Sequence, residues 1–483
     1  MKKSESLSAS GDGGATRIGF WGLTAIVFGM MVGAGIFNLP QNMAAGAGVG
    51  AVAIAWIITA VGMLLLVATF KTLADRRPDL DAGIYQYAQE GWGNYIGFNV
   101  AWGYWLCASF ANVAYAVMLY ECFAAFFPPL IGSGVGLVVF GTVFIWTIYF
   151  IVCRGIRTVK VVNSVMSALK VAVILLIIGL IAANVKVDTL DADILCLDSG
   201  CGDLLAQVRS TMLVTLWCFI GIEGAVMLSG RARRSKDVGR AGVTGFFISW
   251  LLYLLVSVLC YGVMSRARLA GLDNPSAAYL LRAICGGWAY WLVIIAVIVS
   301  LLGGWIAWTI ICAQVPYKAA SVGIFPRRFL HENRHGIPSS GLLVSSIIMQ
   351  LFIFIVACAE DMYLEALSIT GMMILPAYLL SGAFLWKATR RPALLRDPSR
   401  SKLRRFRLTG IACTLYCLWM IYAGGLELFA GSSVFYLFGL GFFIKARREQ
   451  RKLSEEGLPY FTRREMLLLA ALVVCTAVTL FLL

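Results

Sequence analysis

Two apolar stretches of this chain carry glycines at points where a membrane-spanning helix would otherwise continue. The first is the Gly-Ala-Gly run at 33–35, and the second is the Gly-Ile-Glu-Gly run at 221–224. Unwound backbone persists in a bilayer only where it lines a cavity or is buried in protein. Glycine-interrupted segments in corresponding positions of two halves indicate the binding site of a secondary transporter. The spacing therefore predicts a solute carrier.

At the first break, Gly33, Ala34 and Gly35 would free backbone N–H groups at the start of a half-helix. These donors, together with the positive end of the half-helix, would suit a carboxylate. A close crossing between two helices accounts for the same glycines equally well. The glycines alone leave both interpretations open.

At the second break, Trp217 and Glu223 are the residues that could carry chemistry. Unwound carbonyls could accept from an ammonium group, and a desolvated cation over the Trp217 ring would gain about 2 kcal/mol. Tryptophan also anchors helices at the lipid interface, but Trp217 lies in the middle of its apolar run. Glu223 is an acid deep in that run, which is energetically costly and marks a functional position by default.

Three further polar or aromatic residues interrupt apolar runs. Trp305 follows two glycines, and Asn112 lies in a run where an interhelical hydrogen bond is the simpler explanation. Lys170 is an amine that must find a partner, lose its proton or replace a bound metal cation. We expect Lys170 to act as a structural cation against the unwound carbonyls of the first break, rather than as a tolerated lysine.

The composition places these residues in a membrane protein. Of 483 residues, 60% are hydrophobic and 13% charged, which excludes an ordinary soluble globular protein. Apolar runs of about 20 residues recur, each long enough to cross the hydrocarbon core. We predict thirteen transmembrane helices, at 19–40, 48–70, 96–120, 133–152, 161–183, 208–229, 241–264, 289–313, 340–358, 362–386, 408–425, 429–445 and 465–483.

We attribute the net charge of +15 to the orientation of the chain in the membrane, and not to a nucleic-acid partner. With alternating spans, 34 of the 40 Lys and Arg residues fall on the side of the N-terminus. Positive loops stay in the cytoplasm, so we predict a cytoplasmic N-terminus and a periplasmic C-terminus. We expect a multi-pass protein of the bacterial inner membrane, and no cleavable signal peptide is apparent.

The breaks fall in predicted helices 1 and 6. An odd number of helices per repeat inverts the second copy, so two five-helix repeats of opposite topology are expected. The predicted organisation is a cytoplasmic tail at 1–17, an inverted-repeat core of helices 1–10 at 18–386, and accessory helices 11–13 at 387–483. A short amphipathic segment at 82–92 is expected along the inner interface.

Cysteine and histidine usage gives no sign of a cofactor. Cys196 and Cys201 lie in one predicted periplasmic loop, where a disulfide is one of the open alternatives. His331 and His335 share a basic inner loop without neighbouring cysteines, so we predict no metal site and no cofactor.

Taken together, several motifs identify a family. They are Met-Val-Gly-Ala-Gly-Ile-Phe-Asn-Leu-Pro at 31–40, Trp-Cys-Phe-Ile-Gly-Ile-Glu at 217–223, Gly-Gly-Trp at 303–305, Tyr-Trp-Leu at 104–106 before Asn112, and Gly-Ile-Phe-Pro at 323–326. Across nearly its whole length, the chain resembles the basic amino acid and polyamine antiporter family of the amino acid–polyamine–organocation superfamily.

This resemblance implies an all-α integral membrane protein with the leucine-transporter-type five-plus-five inverted repeat. It also implies roles for individual residues: Gly33, Ala34 and Gly35 around the substrate carboxylate; Trp217, Ile220 and Trp305 around the aliphatic and guanidinium parts; Asn112 and Glu223 in binding and the coupling of the gates; and Tyr104 at the inner gate. We also predict Met31 as a substrate-binding residue and Lys170 as a coupling residue. The family's arginine–agmatine exchangers usually carry serine at the position of Ala34, so one hydrogen bond to the carboxylate is missing here.

The expected function is uptake of arginine in exchange for agmatine, its decarboxylation product, with ornithine as the alternative counter-substrate. A proton-coupled importer of cationic amino acids is the second hypothesis. The chain has none of the motifs we associate with a membrane enzyme, such as H-E-x-x-H or a nucleophile elbow. The expected partners are small cationic amino acids, polyamines and membrane lipid. A homodimer is left open.

Overall fold

The computed structural model describes residues 19–33, 35–80, 83–127, 133–155, 157–187, 189, 194–196, 201–224, 233–359, 361–453 and 459–482. Within these ranges the named elements are all helices. A helix pairs every backbone group within its own segment, which is why apolar runs in lipid take this form.

The helices follow the apolar runs of the sequence. In chain order they are α1 Phe20–Met31, α2 Leu39–Ala44, α3 Val49–Arg76, α4 Ile84–Trp92, α5 Asn94–Ala124, α6 Gly134–Cys153, α7 Arg157–Ala182, α8 Leu204–Trp217, α9 Ser235–Leu259, α10 Arg266–Ala270, α11 Ser276–Cys285, α12 Gly287–Ser321, α13 Ser339–Val356, α14 Met362–Ala388, α15 Arg400–Ala423, α16 Leu426–Phe438, α17 Leu440–Leu453 and α18 Arg463–Leu482. A 3₁₀ turn, Gly35–Asn38, precedes α2.

Eight of these helices are long and apolar enough to cross a membrane, or up to ten in the described residues if each of two bent pairs counts as one span. One bent pair is α1 with Gly35–Ala44, and the other is α16 with α17. The chain is therefore a multi-pass membrane protein. The count of thirteen stays a prediction, since α7, α8 and α18 fall outside that set of spans.

The predicted span at 429–445 is not one straight helix. The chain bends by 42° between α16 and α17, at Gly439. A Cβ atom at Gly439 would lie 2.9 Å from the Trp102 ring, so glycine lets α5 pack closely against the bend. The apolar run continues through the bend, which is why sequence periodicity alone did not reveal it.

The two halves of the chain share one local arrangement of helices, and the five-plus-five repeat stays a prediction. In the first half, the short helix α4 leads into the long helix α5 through Gly93, whose φ is 96°. In the second half, the short helix α11 leads into the long helix α12 through Gly286, whose φ is 86°. Left-handed backbone of this kind favours glycine. The amphipathic segment at 82–92 predicted the region of α4, whereas no comparable signal predicted α11.

Helix α5 forms the centre of the molecule. In its most apolar 18-residue window, 89% of residues are buried, the largest share among the candidate spans. Its aromatic side chains pack in several directions. The ring centroids of Trp102 and Phe442 of α17 are 5.3 Å apart, and those of Phe110 and Phe352 of α13 are 3.7 Å apart. A helix that is apolar on every side belongs in the interior. Packing on all sides therefore fixes the positions of the side chains of α5.

The open question of the two loop cysteines has a structural answer. Cys196 and Cys201 form a disulfide, with their Cα atoms 5.9 Å apart. The backbone beside it contacts the start of α3, because the Gly50 N–H donates to the Ile194 carbonyl oxygen at 2.8 Å.

Candidate functional site

The first break begins where α1 ends at Met31. Val32 leaves the helical region with ψ at 87°, and the 3₁₀ turn begins at Gly35. The segments on either side differ in direction by 45°. Ala34 lies outside the described residues. The carboxylate role predicted for residue 34 therefore stays a prediction.

The glycines of the first break allow two aromatic side chains to approach. A Cβ atom at Gly33 would lie 2.6 Å from the Tyr115 hydroxyl oxygen. A Cβ atom at Gly35 would lie 2.8 Å from Nε1 of Trp217. Any larger residue at either position would displace an aromatic ring.

Side chains from other helices reach the free carbonyl groups of the first break. Lys170 of α7, which is 6% exposed, donates from Nζ to the Val32 carbonyl oxygen at 2.7 Å. The Tyr253 hydroxyl of α9 lies 2.8 Å from the Met31 carbonyl oxygen. A buried carbonyl without a partner is costly, so these contacts stabilise the unwound backbone. Lys170 makes the type of contact that the structural-cation hypothesis requires.

At the second predicted break, α8 ends at Trp217, and residues 225–232, where the broken helix would resume, lie outside the described residues. Residues 218–223 form turns, and Gly221 has φ at 110°. A Cβ atom at Gly221 would lie 2.9 Å from the Met30 carbonyl oxygen, so the two breaks cross in close contact. The turns pair their own backbone, with Ile220 N donating to Trp217 O at 3.2 Å and Ile222 N to Phe219 O at 3.1 Å.

Glu223 is fully buried just after these turns and accepts three hydrogen bonds. The hydroxyls of Tyr104 and Tyr378 donate to its two carboxyl oxygens, each at 2.8 Å. The Gly221 N–H donates to Oε2 at 3.2 Å. Because Tyr104 belongs to α5 and Tyr378 to α14, this carboxyl group connects the second break to both helices.

The Tyr253 hydroxyl also connects the two breaks directly. Besides the Met31 carbonyl oxygen, it lies 3.0 Å from the carbonyl oxygen of Cys218, the first residue after α8. Since a hydroxyl has a single hydrogen, the two carbonyls share one donor. A change in the separation of the breaks would alter this contact.

A cavity of about 20 Å³ lies between the breaks. Its lining residues come from both breaks and from α5, α9 and α12: Met30, Met31, Gly33, Gly35, Ala111, Tyr115, Trp217, Cys218, Ile220, Tyr253 and Trp308. That volume has room for about one water molecule. An amino acid can enter only if these walls move apart.

Five of the eight predicted substrate-binding residues line this cavity: Met31, Gly33, Gly35, Trp217 and Ile220. Trp305 is fully buried and stacks on Phe144 at 6.1 Å, away from the cavity lining. Asn112 donates to the Ala108 carbonyl oxygen at 3.2 Å and to the Cys312 sulfur at 3.4 Å. Both residues keep a polar atom without a hydrogen-bond partner: Nε1 of Trp305 and Oδ1 of Asn112.

Sequence reasoning missed three aromatic lining residues. Tyr115 and Trp308 each lie three positions after a predicted residue, Asn112 and Trp305 respectively. Residues three apart lie on similar helix faces, but Asn112 and Trp305 do not themselves line the cavity, so this spacing alone would not have identified Tyr115 and Trp308. Tyr253 had no comparable signal, because nothing in the sequence of α9 shows which face meets the breaks.

A second polar network lies beside the 3₁₀ turn. Asn38 donates to Oδ1 of Asn274 at 2.5 Å and accepts from the Ser276 N–H at 3.2 Å. Asn274 in turn donates to Oε1 of Glu121, near the end of α5, at 3.3 Å. This network joins the 3₁₀ turn of the first break to the start of α11 and to α5. It is separate from the Glu223 network.

Comparison with known proteins identifies the family. The family model described as amino acid permease matches residues 18–462. The chain belongs to the amino acid permease family. This confirms the resemblance inferred from the motifs.

Individual relatives cover nearly the whole chain. An arginine/agmatine antiporter of Chlamydia abortus is 38% identical over 467 residues, covering 95% of each protein. An arginine/agmatine antiporter of Chlamydia pneumoniae is 39% identical over 474 residues, covering 96% of this chain and 97% of the relative. An arginine/ornithine antiporter of Pseudomonas aeruginosa is 40% identical over 461 residues, covering 94% of each protein.

Proposed function

We propose that this amino acid permease family member is an antiporter that takes up arginine in exchange for agmatine by alternating access. The observation that carries the proposal is the small aromatic-walled cavity at the contact of two helix breaks. The names of relatives at 38–40% identity support this class of substrate. Ornithine is the alternative counter-substrate, because one of these relatives is named for it.

The cavity offers different chemistry to the two ends of arginine. The 3₁₀ turn beginning at Gly35 leaves its first N–H groups without partners inside the turn, and these suit the carboxylate. The rings of Trp217, Tyr115 and Trp308 suit the guanidinium, with about 2 kcal/mol for a desolvated cation–π contact. Agmatine lacks the carboxylate, so it would depend on the aromatic walls alone.

Binding must enlarge the cavity, and the breaks are the natural places for this change. Cys218 and Ile220 follow directly from α8, so a rotation of the 218–223 turns would move two lining residues at once. Glu223 would transmit that rotation to α5 and α14 through Tyr104 and Tyr378. The Asn38–Asn274 network lies on the other break and would open in the opposite half of the cycle. Two networks of this kind provide the two gates that alternating access needs.

The exchange has a definite charge balance. Arginine enters with a net charge of one, and agmatine leaves with two, so each cycle exports one positive charge. Decarboxylation inside the cell consumes one proton per arginine. The combined cycle would raise internal pH without a proton-transfer step in the transporter.

We propose the predicted orientation in the bacterial inner membrane, with a cytoplasmic N-terminus, because it collects the basic loops on one side. The proposed division is the tail 1–17, the transport core 18–386 and the accessory helices 387–483. The protein would act as a transporter and not as an enzyme. A homodimer stays a prediction.

Transport by purified protein in liposomes tests this function. Labelled arginine uptake is measured into vesicles preloaded with agmatine, ornithine, lysine or buffer alone. We expect rapid uptake only against an internal substrate, with agmatine fastest and ornithine second. Equal uptake into empty vesicles would reject exchange.

The proton-coupled alternative is tested with the same vesicles. An inward proton gradient is imposed across vesicles that contain no substrate, and arginine accumulation is followed. We expect none above vesicles without protein. Accumulation that depends on the gradient would replace the antiporter with a proton symporter.

A further inference from the structure

A groove between α3 and α15 lies apart from the substrate cavity and shares no lining residue with it. This groove is largely open at the surface and has a volume of about 370 Å³. The lining residues are Leu65, Ser401, Arg404, Arg405, Leu408, Thr409 and Ala412. This volume lies within the range of about 300–1,000 Å³ that is typical of small-molecule sites.

The crossing of the two helices creates this space. At Gly62, a Cβ atom would lie 2.1 Å from the Tyr416 ring, so α3 and α15 are in close contact there. Nearer the start of α15, the Arg76 guanidinium lies 5.7 Å from the centre of the Phe406 ring. Between these two contacts, Leu65 of α3 and the side chains of α15 that face it line the groove. The groove is therefore a built feature with fixed ends.

One end of the groove is cationic. Arg404 and Arg405 are exposed neighbours on α15, accompanied by the hydroxyl residues Ser401 and Thr409. Among the described residues, the ion pairs are Arg77–Asp79, Arg77–Glu90 and Arg447–Glu465, so neither guanidinium of the groove is neutralised by a carboxylate. Arginine forks and hydroxyls are the donors that phosphate groups prefer.

The other end is apolar. On α3, Ile57 and Val61 are 58% and 56% exposed, and Leu65 continues this stripe at the same four-residue spacing. On α15, Leu408 and Leu415 are 58% and 60% exposed. Residues four apart share a helix face, so each stripe runs along its helix from the arginines toward the middle of the span. In a membrane-spanning chain these faces meet lipid tails.

We propose that this groove is a binding site for an anionic phospholipid. The headgroup phosphate is held by Arg404 and Arg405, with hydroxyl donors from Ser401 and Thr409. One acyl chain lies against Leu65, Leu408 and the stripes beyond them. The site faces the predicted cytoplasmic surface, where basic pockets between membrane helices recognise anionic lipid headgroups.

The combination of surfaces favours lipid over other anions. A soluble phosphate compound would use the arginines but would leave the exposed leucines without a partner. A second copy of the chain could cover the leucines but would have to neutralise two guanidinium groups. An anionic phospholipid satisfies both ends at once. The inference does not depend on which substrate the transporter carries.

Lipid retention by the full-length protein tests this site. Purified, delipidated protein in detergent is incubated with equal amounts of phosphatidylglycerol and phosphatidylcholine that have identical acyl chains, and bound lipid is counted by native mass spectrometry. We expect wild type to retain phosphatidylglycerol over phosphatidylcholine. The Arg404→Gln/Arg405→Gln variant should lose about tenfold in that preference, the effect of a modest loss in binding free energy.

The matched control is Arg400→Gln/Arg407→Gln. It removes the same charge from the same helix at exposed positions that do not line the groove. We expect its preference for phosphatidylglycerol to stay within about twofold of wild type. An equal loss in both double variants would mean general attraction to a basic surface, and the site would be rejected.

Two further experiments test the acyl-chain contact and the alternative that a second copy of the chain fills the groove. Leu408→Asn keeps both arginines, and it should weaken retention of phosphatidylglycerol if the acyl chain lies in the groove. Unchanged retention would overturn the acyl-chain contact, as would displacement of the lipid by glycerophosphoglycerol, which has the headgroup alone. If lipid-free wild type is dimeric and Arg404→Gln/Arg405→Gln is monomeric, the groove is an interface between copies and the proposal fails. Thermal melting of each variant in detergent monitors folding.

Discussion

The two helix breaks satisfy their unwound backbone in different ways. The first depends on donors from other helices: Lys170 of α7 donates to the Val32 carbonyl, and the Tyr253 hydroxyl of α9 lies next to the Met31 carbonyl. The second pairs its own backbone in consecutive turns from Trp217 to Gly224. At the end of those turns, the Glu223 side chain, and not the backbone, accepts hydrogen bonds from the hydroxyls of two other helices.

This difference assigns the breaks different mechanical roles. Because α7 and α9 hold the carbonyls of the first break, its carbonyl end can move only with those helices or by breaking a buried contact. The second break pairs most of its own backbone and contacts α5 and α14 through the Glu223 carboxyl group and α9 through the Cys218 carbonyl. We expect it to rotate as a unit, with Glu223 as its connection to α5 and α14. We therefore predict that the first break is an anchored wall of the cavity and that the second is the moving wall.

The largest effect is expected from removing the connection of the second break. Glu223→Leu leaves the hydroxyls of Tyr104 and Tyr378 and the Gly221 N–H without their buried acceptor, and unsatisfied groups of this kind cost about 1–3 kcal/mol each. We expect near-complete loss of arginine–agmatine exchange in proteoliposomes. Glu223→Gln keeps a carbonyl acceptor and should retain slow exchange.

The control for this pair is Glu427→Leu, which removes an exposed carboxylate at the start of α16. It should exchange at the wild-type rate. If Glu223→Leu also did so at equal protein density, the second break would not need its carboxyl group, and the contrast between the breaks would fail.

The next largest effect should come from the anchor of the first break. Lys170→Met keeps length and apolar contact but leaves the Val32 carbonyl without its donor, at a cost of about 1–3 kcal/mol. We expect exchange to fall by about tenfold to a hundredfold, measured as the initial rate of arginine uptake. Lys186→Met, at an exposed position, is the matched control. Exchange at the wild-type rate in Lys170→Met would reject the structural-cation role, and Lys170 would then be a tolerated lysine.

Trp217 and Trp305 test whether a tryptophan in the cavity lining contributes more to binding than one packed outside it. Trp217 lines the cavity at the second break, whereas Trp305 stacks on Phe144 outside that lining. Trp217→Leu should weaken arginine binding about thirtyfold, which corresponds to a cation–π contact of about 2 kcal/mol. Trp305→Leu should have a clearly smaller effect in isothermal titration calorimetry. The reverse order would mean that substrate binding brings Trp305 into the cavity.

The smallest effect is expected at the hydroxyl that the two breaks share. Tyr253→Phe keeps the ring and removes the contact to Met31 and Cys218, worth about 1 kcal/mol. Exchange should slow by about fivefold. Tyr261→Phe loses a comparable contact, to the Ala47 carbonyl at 2.8 Å, away from both breaks. Equal slowing in the two variants would show that Tyr253 has no special role between the breaks.

Local features of the sequence predicted much of the fold and part of the site. Apolar runs indicate helices because each run must pair its own backbone in lipid. Glycines at 33 and 35 and at 221 marked the breaks, since these positions need close approach or a left-handed φ. The bend at Gly439 and the helix α11 were missed, because an apolar run can continue through a bend and a short amphipathic helix gives a weak signal.

The sequence by itself determined the protein class, the glycine-rich segments at which α1 and α8 end, and the buried ionisable residues Lys170 and Glu223. These follow from hydrophobicity and residue type, which act over a few neighbouring positions. Only the tertiary structure decided which aromatic rings face the cavity. Trp308 lines it and Trp305 three positions earlier does not, because Tyr115 and Phe144 pack against α12 at different points and so set its rotation. The crossing of Gly62 with Tyr416, which creates the groove at α3 and α15, likewise depends on residues far apart in the chain.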